Sequence, residues 1–151
     1  MSETIAAIDI ETTGLDPIYH DIIEIAIQPL TDKFEPSPFQ KPFVARIKAR
    51  RPENASPKAL EINGLDLDEG DDYEHILKKL RAWLIDNGIG KIQILGQNVD
   101  FDLSFIKVHF PELARRISHR DIRDSQRLAR AFNDIAIARD GVAAFQDTNG
   151  H

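Results

Sequence analysis

Asp9 and Glu11 stand at the end of an otherwise apolar segment, Thr4–Ile10 (TIAAIDI). In an extended chain a separation of two residues puts both side chains on one face of a sheet. Carboxylates so placed repel each other, and burial would raise the pKa of at least one. A divalent cation between them removes that repulsion, and an all-oxygen donor set suits Mg²⁺ or Mn²⁺. The plainer alternative is a strand end that reaches solvent, where acids are ordinary. Asp102 raises the same question inside Gly96–Ile106 (GQNVDFDLSFI). There Phe101 and Phe105 face a core at i, i+4, which leaves Asp102 near a helix start and a strand end, a common place for a site in α/β folds. Its alternative is a first-turn acid stabilised by the helix dipole.

The elements that must carry these residues can be read from periodicity. Thr4–Ile10 is a strand, followed by a turn at Thr12-Thr13-Gly14 and Asp16-Pro17. Asp21–Gln28 (DIIEIAIQ) alternates Ile23, Ile25 and Ile27 on one face as a second strand, and Lys41–Ile47 (KPFVARI) is a third. Short connections make these strands antiparallel neighbours. Ser56-Pro57 caps a helix that stops at Asn63-Gly64. A longer helix carries Tyr73, Ile76, Leu77, Leu80 and Leu84 and ends at Asn87-Gly88. Lys91–Leu95 is a fourth strand, a helix starts near Val99, and Pro111–Ile117 and Asp124–Phe132 are further helices. This order predicts an α/β fold with a mixed sheet.

The chain of 151 residues has 42% hydrophobic and 29% charged residues, as expected of one globular domain. The absence of cysteine excludes disulfides, thiolate metal sites and cysteine nucleophiles, and is compatible with a cytoplasmic address. No apolar run approaches the ~20 residues that span a bilayer, so no membrane partner is expected. A net charge of −6 argues against coating nucleic acid by bulk electrostatics, though not against holding it through metal ions. Basic residues cluster at Arg46, Lys48, Arg50 and Arg51, and again from Arg115 to Arg130. They are either guides for a single strand or solvated faces. His20, His75, His109 and His119 are expected at the surface.

Asp9-Ile10-Glu11-Thr12-Thr13-Gly14 together with Gln97-Asn98-Val99-Asp100-Phe101-Asp102 resembles the DnaQ-like DEDD superfamily of 3′→5′ exonucleases. That group includes proofreading subunits of DNA polymerases, ribonuclease T and oligoribonuclease. Asp21–Ala26, Ala55–Leu65 and Arg123-Asp124-Ser125 fit the same pattern at the expected places. The resemblance implies a ribonuclease H-like α/β fold with a mixed sheet flanked by helices. It also implies two divalent cations, Mg²⁺ or Mn²⁺, held by Asp9, Glu11 and Asp102. Thr12, Thr13, Gly14 and Leu15 would border the terminal nucleotide, with Asn63 and Gly64 on the opposite wall and Asn98 near the phosphate. The implied partners are 3′ ends of single-stranded DNA or RNA, and a DNA polymerase.

Two departures from the family pattern stand out. Position 97 is Gln where many relatives have His. The third family motif is a His followed five residues later by an Asp; Thr148-Asn149-Gly150-His151 resembles its approach, with His151 as general base, and the Asp has no position in this sequence. The expectation is one exonuclease domain over residues 1–151 without its C-terminal helix, a shortened form of weak or absent activity. The rival expectation is a catalytically incomplete nucleic-acid-binding or polymerase-associated module.

Overall fold

The computed structural model describes residues 3–64, 66–96 and 98–118. Three strands open the chain, β1 (Thr4–Thr12), β2 (Ile22–Leu30) and β3 (Phe43–Arg46). Helices α1 (Pro57–Asn63) and α2 (Tyr73–Asp86) follow, then strand β4 (Ile92–Leu95). Helix α3 (Val99–His109), the short α4 (Pro111–Ala114) and strand β5 (Ile117–Ser118) complete the described part. The sheet order is β3-β2-β1-β4-β5. β2 pairs antiparallel with β1 and β3, while β4 runs parallel to both β1 and β5.

The predicted α/β class and mixed sheet are therefore observed, with local corrections. The expected helix Pro111–Ile117 stops at Ala114, and Ile117 pairs instead with Ile92 on the sheet edge. A two-residue strand shows no alternation in sequence, so tertiary pairing decides it. The β2 strand is buried along its whole length, not on one face alone, because it lies inside the sheet with both faces covered. The expected helix Asp124–Phe132 lies outside the described residues.

The main core packs Ala6, Ile8 and Ile10 of β1 against Ile76, Leu80, Trp83 and Leu84 of α2 and Leu103, Phe105 and Ile106 of α3. Those α2 positions recur at helical spacing, so one stripe faces the sheet. On the opposite face Ala7, Ala26, Leu30 and Leu95 form a smaller cluster. Alternation puts Asp9 and Glu11 on this second face, opposite Ala26 and Glu24 of β2.

Capping follows the sequence signals. The Ser56 hydroxyl accepts from the Ala59 amide, Pro57 fills the first turn, and Gly64 ends α1 with φ 63°. That left-handed conformation is one glycine adopts without strain.

Candidate active site

β4 stops opposite Ala7 while β1 runs on to Thr12. A notch results beside the last residues of β1, and the start of α3 fills it. The register shifts between Glu11 and Thr12, where Thr12 pairs with Ile22 instead of continuing the alternation. Gly96 lets the helix come close: a Cβ there would lie 3.6 Å from Asp102 Oδ2 and 3.7 Å from the Ile8 carbonyl oxygen. Gly96 thus stands between the Asp102 carboxyl and the β1 backbone at Ile8, next to Asp9, and the Asp102 amide bonds the Asn98 carbonyl at 3.0 Å.

Asp9 and Glu11 are half-buried and Asp102 is 7% exposed. Burial first, then the charges of Asp9 and Glu11, push the Asp102 carboxyl up to about 8. The helix start favours the anion by only about 1 kcal/mol, less than a single pKa unit, which is about 1.4 kcal/mol. Desolvation and repulsion win. Among the described residues, no three His, Cys, Asp or Glu side chains are gathered closely enough to ligate one ion. The donor chemistry nevertheless fits hard divalent cations: three carboxylates in mutual opposition lose that opposition when a cation joins them.

Beside the carboxylates lies a groove of about 340 Å³. Glu11, Thr12, Gly14 and Leu15 form one side, Lys58, Ala59 and Ile62 of α1 another, and Phe101 of α3 a third. Leu15 is 83% exposed, which rules out core packing as its role. Thr12 and Thr13 work differently: both are buried, with the Thr12 hydroxyl donating to the Gly14 carbonyl (2.7 Å) and the Thr13 hydroxyl accepting from the Asp21 amide (2.9 Å). They shape the loop from within. Gly14 is required because a Cβ there would collide with the His20 ring. Gly64, exposed at the end of α1, and Asn98, exposed before α3 without a side-chain capping hydrogen bond, lie outside the lining of this groove. Gln97, His151 and the side chain of Asn63 lie outside the described part of the structure.

Sequence alone did not single out Lys58, Ala59, Ile62 and Phe101 as lining. The i, i+3 and i, i+4 spacing within Lys58–Ile62 was the available signal. A larger groove, about 580 Å³ between α2 and Phe110–Arg115, includes none of the three carboxylates.

The basic cluster after β3 is not a free surface. Arg51 bonds Asp21 through Nε (3.0 Å), Nη2 (2.9 Å) and its backbone amide (2.8 Å). Burial alone would raise the Asp21 carboxyl, but these bonds and the charges of Arg51 and Arg50 hold it below its ordinary value. Arg46 pairs with Glu24 at 3.5 Å and Glu69 at 3.0 Å. Two of the histidines expected at the surface are also placed otherwise. His20 is half-buried over Gly14, and His109 is 2% exposed.

The strand β1 carries two acids and the start of α3 a third, whose charges act on one another. The chain belongs to the exonuclease family (RNase_T) of the DEDD superfamily, whose model matches residues 6–144. It is 27% identical over 136 residues to DNA polymerase III PolC-type of Bacillus cereus, covering 85% of this chain and 8% of that protein. To the PolC-type polymerase of Bacillus subtilis it is 30% identical over 119 residues, covering 74% and 7%. An exonuclease I structure superposes with a TM-score of 0.64 at 19% identity, covering 93% of this chain and 36% of that one. Escherichia coli exonuclease I in complex with a dT13 oligonucleotide gives a TM-score of 0.61 at 21% identity, covering 74% and 24%. These likenesses establish a ribonuclease H-like α/β fold. Among the described residues, no helix is long and apolar enough to cross a membrane.

Proposed function

We propose that the domain hydrolyses phosphodiester bonds from the 3′ end of single-stranded DNA or RNA, releasing nucleoside 5′-monophosphates with the help of two divalent cations. The observation that supports this reading is a buried Asp102 raised first by burial and then by the charges of Asp9 and Glu11, with Glu11 lining the adjacent groove. Asp9, Glu11 and Asp102 are the residues that would hold the cations, which would supply charge stabilisation of the scissile phosphate and acidify a water. Leu15, Ile62 and Phe101 give the terminal base an apolar bed, and the backbone of Thr12–Gly14 sets the depth to which it enters. A groove of this size takes one unpaired nucleotide, so a duplex end must open before it is cut. His151 takes the proton from the attacking water in this reading, a task suited to an imidazole. Association with a polymerase is proposed by analogy with the PolC-type relatives.

The test is degradation of a 5′-labelled single-stranded oligonucleotide, as DNA and as RNA, with Mg²⁺ or Mn²⁺. A ladder shortened one nucleotide at a time is expected, together with its loss in Asp9→Ala. Internal cuts in a circular single strand would overturn the exonuclease reading. Binding without hydrolysis under either metal would make the domain a nucleic-acid-binding module instead.

A further inference from the structure

His109 ends α3, two turns beyond Asp102, and is buried. Its Nε2 lies 2.9 Å from the Pro17 carbonyl oxygen and its Nδ1 lies 2.6 Å from Arg50 Nη2. A carbonyl oxygen only accepts and a guanidinium only donates. The ring must therefore donate from Nε2 and accept at Nδ1, which is the neutral Nε2–H tautomer. Arg50 is itself fixed, stacked 3.6 Å over the Tyr73 ring and 3.9 Å from Asp21 Oδ1. The Tyr73 hydroxyl donates to the His109 carbonyl, and Phe105 stacks on the imidazole at 5.9 Å.

Pro17 lies in the Gly14–His20 loop, whose first residues wall the groove. The rest of the loop is tied to the residues after β3: Arg51 donates to the carbonyls of Ile18 (2.5 Å) and His20 (3.0 Å), and Asn54 to that of Tyr19 (3.1 Å). The His109–Pro17 bond is different, because it comes from the helix that carries Asp102.

We propose that His109 is a positioning residue: in its neutral Nε2–H form it fastens the Gly14–His20 loop to α3 and so fixes the groove wall relative to Asp102. The proposal rests on the exonuclease reading only for its kinetic consequence. Protonation places a hydrogen on Nδ1, directly against the Arg50 donor, and breaks the arrangement. The groups facing the ring are Arg50 after β3, Asp21 before β2, Tyr73 of α2, and the carbonyls of Pro17 and His20. Burial and then the Arg50 charge lower the imidazole pKa below its ordinary 6.5, against opposing effects of the two carbonyls and Asp21. The tie is therefore present at neutral pH and is lost as pH falls through that lowered value.

The experiment compares His109→Gln, which keeps an uncharged donor and acceptor, with His109→Phe, which keeps the ring and removes both. Imidazole nitrogen chemical shifts in the wild type should show the neutral Nε2–H tautomer at pH 7. The Tyr19 and His20 amides both bond the Asp16 carbonyl. In His109→Phe they should exchange with solvent about five- to tenfold faster, as for the loss of one net hydrogen bond. In the same variant KM for an oligonucleotide should rise by a similar factor with kcat changed less. His109→Gln should restore both readouts and flatten the acid limb of the KM profile. An Nδ1–H or protonated ring, or wild-type amide exchange in His109→Phe, would overturn the proposal. If His109→Phe fails to fold, a His109→Gln protein whose KM keeps the wild-type acid limb does the same. If no form cleaves nucleic acid, the exonuclease reading fails, while ring tautomer and amide exchange still decide the loop tie.

Discussion

Asp102 is a carboxyl whose folded environment favours its neutral form, and this has a sign that can be measured. Its pKa is about 8 in the fold against an ordinary 3.8. The folded state thus retains a proton across that window that the unfolded chain releases. Stability of the metal-free protein should be highest near the lower value and fall as pH rises toward the upper one. Divalent cation should reverse the trend by favouring the charged form. Asp102→Asn should melt at a higher temperature than wild type near pH 8 without metal, and its melting point should vary less with pH. A variant that kept the wild-type pH dependence would assign that dependence to another group. Asp9, Glu11 and Asp102 were legible in sequence because acids inside apolar surroundings carry a penalty that invites an explanation. His109 was less legible, although Phe101, Phe105 and His109 recur every four residues along the face of α3 that turns inward. Its partners, Arg50 and Pro17, come from distant parts of the chain, and no local spacing announces them.

Some elements meet one another through close approaches of backbone that a glycine permits, and other glycines serve only to turn the chain. Gly70 has φ 108°, and a Cβ there would collide with the Arg46 carbonyl. This packing lets the Asp71 amide reach that carbonyl at 3.0 Å and Lys48 reach the Asp71 carbonyl at 3.0 Å. Gly88, after α2, has φ 61° and open space around it. Gly88→Ala should then lose only the left-handed backbone penalty, about 1–2 kcal/mol. Gly70→Ala adds a clash with backbone and should exceed about 3 kcal/mol. Chemical denaturation of the two variants separates these outcomes, and equal losses would mean the Gly70 contact relaxes freely. Caps, turns and the long α2 stripe were readable because their signals are local. The end of α4 and the existence of β5 were not, since they depend on what Ile92 offers across the sheet.

At the scale of the molecule, charge sets how a nucleic acid is held. The net charge is −6, and Arg46, Arg50 and Arg51 already pair with Glu24, Glu69 and Asp21. Lys58 is the cation among the residues lining the 340 Å³ groove. The contribution of this groove's described lining to binding of single strands should therefore depend weakly on salt. Lys58→Ala should lower affinity and reduce the slope of log K against log salt by about 0.7, the value for one phosphate contact on a single strand. An unchanged slope would place Lys58 away from the phosphates. These arginines were legible in sequence as a basic cluster, but their pairing with Asp21 before β2, Glu24 of β2 and Glu69 before α2 was not, because those acids lie far along the chain.

The parallel pairing of β4 with β1 also dictates a history. β1, β2 and β3 are near neighbours in sequence, whereas β4 returns to β1 only after residues 13–91 have been laid down. Closing so long a segment is entropically expensive, so distant pairings form late along the folding route. Ile25→Val in β2 should slow refolding, while Ile94→Val in β4 should chiefly hasten unfolding. Asp102 follows β4, and its meeting with Asp9 and Glu11 belongs to that late stage. The electrostatic strain of the site is then absent from the transition state for folding. Removing it by Asp102→Asn leaves the refolding rate unchanged and lengthens the lifetime of the native state.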